Sequence, residues 1–144
     1  MTLKELVLKN RSYRGYDESR AVTEEELLGL VELTRYTASG ANLQPLKYRI
    51  VWEKDKVAQV QACTRWAAAL PELKLPYPGT CPTGFIIICQ DTAIVPNPNA
   101  CLRDVGIVAQ TMLLGAVELG LGGCMIANFD KPAVRQALQL PETA

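Results

Sequence analysis

Residues 101–121 read CLRDVGIVAQTMLLGAVELGL and determine which kind of fold this chain can adopt. From residue 105 onward only three of these side chains are polar, so a helix here is apolar almost all round. Those three are Gln110, Thr111 and Glu118. A helix of this kind must be covered on every side. We predict that one face packs on a sheet and the opposite face packs on the same helix of a second copy, giving a homodimer.

A membrane span is the alternative interpretation of the same residues. Glu118 and the four glycines between residues 106 and 122 interrupt the apolar run. The uncharged part is also shorter than the ~20 apolar residues that cross a bilayer. The sequence therefore predicts a buried helix and no membrane partner.

Two further helices are predicted from their start signals. Thr2 with Glu5, and Thr23 with Glu26, match the capping-box spacing, in which a hydroxyl and a carboxylate satisfy backbone donors at a helix start. The apolar periodicity after the second box predicts a helix over about residues 24–36.

The remaining elements are predicted from composition and turn residues. A weak alternation at residues 48–52 and a continuous apolar run at 85–89 predict two strands of a central sheet, the second covered on both faces. Four prolines within residues 71–82 predict a long irregular loop. The other predicted elements are a helix over 57–70, a strand over 124–127 and a last helix from Asp130 to the pair Leu140-Pro141.

Length and charge limit the classes of function. The 144 residues predict a single domain, residues 1–144. Fifteen Lys plus Arg balance fifteen Asp plus Glu, so no overall positive field favours a nucleic-acid partner. The chain has no His, which excludes histidine triads and the commonest metal ligand. We expect no metal site.

The cysteines indicate the compartment. The five thiols include no C-x-x-C pair, which is typical of neither a disulfide framework nor a zinc site. Reduced thiols and a charged N-terminus predict a cytoplasmic protein. A cysteine-based redox enzyme is a weak alternative, because neither a His nor a C-x-x-C motif activates the Cys81 thiol.

Two loops carry the candidate binding chemistry. The run NRSYR at residues 10–14 offers two guanidiniums and a hydroxyl, a donor set suited to phosphate or to a carbonyl-rich ring. The run ASGANLQP at residues 38–45 combines small residues with two side-chain amides, which would let a flat ligand approach the backbone. Taken singly, the first loop is better explained as a solvated basic turn and the second as a plain helix-to-strand turn.

The glycines at residues 120–123 are not a dinucleotide fingerprint. That fingerprint has a strand before the glycines and a helix after them, whereas here the helix comes first. A helix C-cap followed by a tight turn explains them better.

The order and spacing of these motifs resemble the flavin-dependent nitroreductase family over nearly the whole chain. The motifs are the RSYR run after the first helix, the loop ending NLQP, the helix run DVGIVAQ with its turn GLGGC, and the run IANFD at residues 126–130. The resemblance implies an α+β nitroreductase-like fold, with a central, mainly antiparallel sheet flanked by helices and an intertwined homodimer. The implied cofactor is FMN, with NAD(P)H as co-substrate.

The resemblance also implies which residues surround the flavin. The ribityl phosphate and the pyrimidine side would be held by Arg11, Ser12 and Arg14. Residues from the other subunit would be Ala38, Ser39 and Asn42, with Gln44 nearby. A backbone N–H near the flavin N5 would come from Ala127 or Asn128, where relatives often have an acidic residue and a glycine. If Asn128 has the same backbone conformation as the glycine that relatives often have at this position, its φ is unusual.

The implied function is an oxidoreductase that passes electrons from NAD(P)H to a nitroaromatic, a quinone or a similar small acceptor by a ping-pong mechanism, with no catalytic side chain. Family members continue past the last helix into a strand and a basic segment that completes the phosphate site, whereas this sequence stops at Ala144. A shortened chain, residues left out of this sequence and a minimal member with weak FMN binding are all compatible with that difference. The competing hypothesis is a dimeric binding or scaffold protein that kept the fold and lost turnover.

Overall fold

The computed structural model describes residues 1–144 and confirms the predicted α+β class. The helices are α1 (Leu3–Lys9), α2 (Glu24–Leu33), α3 (Lys54–Ala62), α4 (Leu102–Glu118) and α5 (Lys131–Leu138). The strands are β1 (Leu46–Val51) and β2 (Phe85–Gln90). Single 3₁₀ turns occupy Thr34–Tyr36 and Gly40–Asn42.

The two strands form an antiparallel pair at the centre of three layers. Leu46 lies opposite Gln90, and Val51 lies opposite Phe85. Because side chains alternate along a strand, Ile86 of β2 faces the helices α2 and α4, while Ile87 faces α3 and α5. The prediction that the second strand is covered on both faces is confirmed.

Helix α4 packs on the sheet as predicted. Val108, Met112 and Ala116 are buried and form one apolar cluster with Leu30 of α2 and with one face of the sheet. The opposite side of α4 is exposed in the single chain. No helix of the structure is both long enough and apolar enough to cross a membrane.

The start signals read from the sequence are confirmed. Both capping boxes form, with the Thr2 and Thr23 hydroxyls accepting from the backbone N–H groups of Glu5 and Glu26. Glu26 also pairs with Arg20 at the surface, and this pairing together with its capping hydrogen bond lowers the pKa of the Glu26 carboxyl to about 2. Asp130 caps α5 by accepting from the Ala133 N–H.

One predicted element has the wrong bounds, and another is wrong. The helix predicted over 57–70 begins at Lys54 and ends at Ala62, because the following residues pair with the chain that leads into α5. There the Arg65 N–H donates to the Asn128 carbonyl at 2.9 Å, and the Asp130 N–H donates to the Cys63 carbonyl at 2.9 Å. The strand predicted over 124–127 is not part of the sheet, and isolated bridges at Gly123 and Phe129 flank it.

Candidate functional site

The first candidate loop lies against the glycine turn that ends α4. Gly120 has φ +76°, and the Leu121 N–H donates back to the Ala116 carbonyl at 2.8 Å. The helix therefore ends in a Schellman motif, which confirms the predicted glycine C-cap. The chain then turns toward the RSYR loop. Ser12 forms a parallel bridge with Gly123, and the Tyr13 N–H donates to the Gly123 carbonyl at 3.1 Å.

Two tyrosines fix the shape of this loop. The Tyr13 hydroxyl donates to the Lys9 carbonyl at 2.6 Å and so ties the loop to the end of α1. The Tyr16 hydroxyl donates to the Tyr13 carbonyl at 2.7 Å, and its ring meets Trp66 edge to face with ring centroids 6.1 Å apart. Burial raises the pKa of Tyr16, with the nearby Cys124 thiol as a second cause, so the phenol stays a hydrogen-bond donor.

Gly122 is required where the Tyr13 ring crosses the turn. A Cβ atom at this position would lie 2.6 Å from Cδ2 of Tyr13. We predict that Gly122→Ala lowers the free energy of unfolding by about 1–3 kcal/mol, because the ring must shift out of a packed position. Denaturant unfolding followed by circular dichroism measures this change.

The matched control is Gly29→Ala on the exposed side of α2, where nothing lies within 4 Å of the added Cβ. This control is expected to gain up to ~1 kcal/mol from the better helix propensity of alanine. Equal stability of Gly122→Ala and the wild type would show that Tyr13 does not rest on the turn.

The loop leaves two positive charges without a carboxylate partner. The salt bridges of the chain are Arg20–Glu26 and Arg35–Glu32, so Arg11 and Arg14 are in neither. Their guanidiniums reach only backbone carbonyls of Asn10 and Ser12. Both arginines are exposed and can bind an anion.

A cavity of about 330 Å³ adjoins Arg11 and Ser12. Val7, Leu113 and Met125 provide apolar walls. Asn10 and Gln110 supply the amides that line it. The Asn10 Oδ1 atom is buried and has no hydrogen-bond partner within the chain, so it is open to a donor from a ligand or a second protein chain.

The second candidate loop, residues 38–44, is held at the other end of α4. The Ser39 hydroxyl donates to Asp104 Oδ2 at 2.6 Å, and the Gly40 N–H donates to Asp104 Oδ1 at 3.1 Å. The side-chain amide of Gln44 donates to Asn42 Oδ1 at 2.7 Å. The exposed residues of this loop include Ala38, Asn42 and Gln44.

This loop has a strained backbone. Ala41, Asn42 and Gln44 have φ of +50°, +54° and +51°, in the left-handed region that non-glycine residues seldom adopt. This conformation costs about 1–2 kcal/mol each at Ala41 and Gln44, and less at Asn42, because asparagine adopts the left-handed region more readily. The loop therefore keeps this shape only because other contacts determine it.

The third candidate segment is residues 127–128. Ala127 and Asn128 are exposed, and their N–H groups donate to no backbone carbonyl, whereas the Asn128 carbonyl accepts from Arg65. These N–H groups are free to bind a ligand atom. The unusual φ considered for Asn128 is absent, since Asn128 is not among the residues with positive φ.

The structure brings some of these segments together and separates others. The Tyr16–Cys124 contact, at 3.7 Å, links the RSYR loop to the chain that leads to Ala127. The loop of residues 38–44 lies instead at the N-terminal end of α4. The helix has 17 residues and is therefore about 25 Å long.

Sequence reasoning missed three of the residues that organise the site. Asp104 is not predicted as a site residue and belongs only to the run DVGIVAQ, yet it is the buried anchor of loop 38–44. It is the only acidic residue in the first turn of an apolar helix, and that was the signal available. The second residue is Gln110, which lines the cavity beside Arg11. The third is Tyr16, and nothing in the sequence distinguishes it from the other tyrosines.

The chain belongs to the nitroreductase family, whose sequence pattern matches residues 7–144. The expected family resemblance and the α+β fold are thereby confirmed, while the homodimer stays a prediction. A curated relative in Methanothermobacter thermautotrophicus, named "Putative NADH dehydrogenase/NAD(P)H nitroreductase", is 22% identical over 146 aligned residues, covering 99% of this chain and 71% of that protein.

Solved structures show the same fold. A nitroreductase family protein from Clostridium novyi NT superposes with a TM-score of 0.78 at 22% identity, covering 99% of this chain and 79% of that one. An FMN-dependent nitroreductase from Clostridium difficile R20291 superposes with a TM-score of 0.74 at 25% identity, covering 98% and 80% respectively.

Proposed function

We propose that this protein is an FMN-dependent oxidoreductase that passes electrons from NAD(P)H to a nitroaromatic, a quinone or a similar small acceptor by a ping-pong mechanism. Membership of the nitroreductase family and the similarity to an FMN-dependent nitroreductase support this class of activity. The observation that carries the proposal is the pair of unpaired guanidiniums, Arg11 and Arg14, on a loop fixed beside a cavity.

The residues present fit FMN. Its phosphate is an anion, and Arg11 and Arg14 supply positive charge with Ser12 as a neighbouring hydroxyl. The exposed N–H groups of Ala127 and Asn128 would donate to an edge of the ring. When bound, FMN supplies the electron-carrying ring, which accepts two electrons from NAD(P)H and passes them to the acceptor.

The chain's own residues then place and polarise the ring. Positive charge from Arg14 near the pyrimidine side would stabilise the negative charge that the reduced ring carries. The tyrosine contacts around Tyr13 hold the backbone of the loop that carries Arg14 before the ligand arrives, which lowers the entropy lost on binding.

The site is assembled by two copies of the chain. Within one protomer, loop 38–44 lies at one end of α4 and the RSYR loop at the other. A two-fold axis across α4 places the start of one helix beside the end of its partner. Loop 38–44 of each copy would then complete the binding site of the other, as the resemblance implies.

The exposed area supports a dimer. The single chain exposes 9192 Å². A compact monomer of its mass, 15.8 kDa, is expected to expose only about 7,300 Å². The excess of about 1,900 Å² exceeds the ~800 Å² that each partner buries in a standard interface.

Apolar residues lie on the surface where the second copy would bind. Leu3 and Val7 of α1 are exposed beside α4, and on α4 itself Leu102 and Ile107 are exposed. Gly106 lies between those two and has open space above it, which lets another helix approach closely. We therefore propose a second copy of this chain as the occupant of the face.

The purified protein tests this function directly. We expect it to bind FMN, to show flavin absorption bands and to lose them when NADPH or NADH is added without air. Addition of a nitroaromatic or a quinone should then restore the bands. Colourless protein that FMN does not reconstitute would overturn the proposal and favour the binding or scaffold protein.

Substitution of Arg14 tests the proposed FMN site most directly. We predict that Arg14→Ala weakens FMN binding about 10- to 100-fold, because a hydrogen bond to a charged group contributes about 1.5–3 kcal/mol. Titration followed by flavin fluorescence measures the affinity, and stopped-flow absorbance measures the rate of reduction, which should also fall.

The matched control is Arg20→Ala, which removes a guanidinium that pairs with Glu26 at the start of α2, outside both candidate loops. This variant should bind FMN as the wild type does. An unchanged flavin content and reduction rate in Arg14→Ala would refute the role assigned to Arg14.

A further inference from the structure

Asp104 is a buried carboxylate without a cationic partner. Its residue is only 8% exposed, and neither salt bridge of the chain includes it. Each of its oxygens accepts one hydrogen bond, from the Ser39 hydroxyl and from the Gly40 N–H. Its place in the first turn of α4 adds the positive end of the helix dipole.

The contacts of Asp104 continue into the candidate binding loop. The Ser39 oxygen that donates to Asp104 also accepts from the Gln44 N–H at 3.0 Å. The carboxylate, the hydroxyl and this N–H therefore form one chain of hydrogen bonds across the base of the loop. The three left-handed residues, Ala41, Asn42 and Gln44, all lie within the segment that this chain closes.

Apolar packing does little to fix the same loop. Leu43, its largest apolar residue, is 52% exposed, and Ala38 and Ala41 are exposed as well. A strained and exposed segment keeps one conformation only where other contacts determine it. Here those contacts are the polar ones made by Asp104 and Ser39.

We propose that Asp104 is a positioning residue that holds loop 38–44 in the shape required for FMN binding at the site of the partner subunit. This inference rests on the proposed function. Asp104 touches no ligand in this scheme and acts through Ser39, Gly40 and Gln44. Its removal should therefore loosen the loop and weaken ligand binding while the fold remains.

Two variants test the inference, Asp104→Asn and Ser39→Ala. The amide of asparagine has one acceptor atom in place of two, so one of the two donors loses its partner. In the protein without ligand, we expect the amide hydrogens of Gly40 and Gln44 to exchange about tenfold faster in Asp104→Asn. Ser39→Ala should raise the exchange rate of the Gln44 amide by a similar factor.

Ligand affinity gives the second measurement. Both variants should bind FMN about tenfold more weakly than the wild type by fluorescence titration. Ser39→Thr retains the hydroxyl and should restore the affinity, which loss of packing alone would not predict. Asp55→Asn, which changes an exposed carboxyl in the first turn of α3 on the other face of the sheet, is the matched control and should behave as the wild type.

The outcomes separate this inference from the proposed function. Unchanged exchange at Gly40 and Gln44, in variants whose circular dichroism shows a folded protein, would overturn the role of Asp104. Faster exchange with unchanged FMN affinity would also overturn it, since the loop would then not serve the ligand. Failure of the wild type to bind FMN would overturn the proposed function, while the exchange measurement would still test how the loop is held.

Discussion

Replacing Ile107 by arginine is expected to separate the proposed dimer into folded monomers at micromolar concentration. Ile107 is 38% exposed in the first half of α4, next to the exposed Gly106. In a two-fold interface every substitution occurs twice, so two guanidiniums would be buried without partners. We expect dimerisation to weaken at least ~1,000-fold, which corresponds to about 4 kcal/mol.

Sedimentation equilibrium over a range of concentrations measures this effect, and circular dichroism verifies that the variant is folded. The matched control is Leu28→Arg on α2, an exposed leucine outside the α1 and α4 face, which should leave the association unchanged. FMN binding should fall together with the dimer, because each site would lose the loop of its partner. A wild-type protein that sediments as a folded monomer would contradict the proposed assembly.

The elements that the sequence predicts correctly are those whose signals lie within a few residues. The capping boxes at Thr2 and Thr23 satisfy helix donors three positions away, so sequence spacing alone reveals them. The apolar run in β2 and the Schellman turn at Gly120 are similarly local. The contact of α4 with the sheet was also predictable from local sequence, because the helix is apolar almost all round.

The errors arise where distant segments compete for the backbone. Residues 63–70 have helical composition, yet the Arg65 N–H pairs with the Asn128 carbonyl, 63 positions further along the chain. That pairing ends α3 early and keeps the chain after Cys124 outside the sheet. Contacts between residues so far apart in sequence depend on the tertiary fold. The local periodicity of apolar residues carries no information about such contacts.

In the candidate site, too, local features could be predicted from the sequence and long-range contacts could not. The loops containing Arg11 and Asn42 could be named from their residue types and from the family resemblance. Their anchors could not, because the Ser39–Asp104 contact joins residues 65 positions apart. The strain at Ala41 is likewise invisible in the sequence, since alanine gives no sign of a positive φ.

Mixing two variants that bind FMN weakly is expected to restore wild-type affinity to about one quarter of all sites. One chain carries Arg14→Ala, and the other carries Asn42→Gly, which removes the amide while glycine accepts the positive φ of this position. If each site takes Arg14 from one subunit and Asn42 from the other, a mixed dimer has one intact site and one doubly defective site. Random reassortment makes about half of the dimers mixed, hence about one quarter of the sites intact.

The experiment separates a shared site from two sites that each lie within one chain. In a site formed by one chain, every site of the mixed dimer would carry one defect, and mixing would restore nothing. The variants are unfolded and refolded together, and FMN is titrated at a concentration between the dissociation constants of wild type and variants. Arg14→Ala mixed with Ser12→Ala is the control, because both defects lie in the same loop and no arrangement yields an intact site. Restoration in the first mixture and its absence in the second would support a site that takes one loop from each subunit. This arrangement agrees with the contacts of Asp104 and Gly123, which hold the two loops at opposite ends of α4 within one chain.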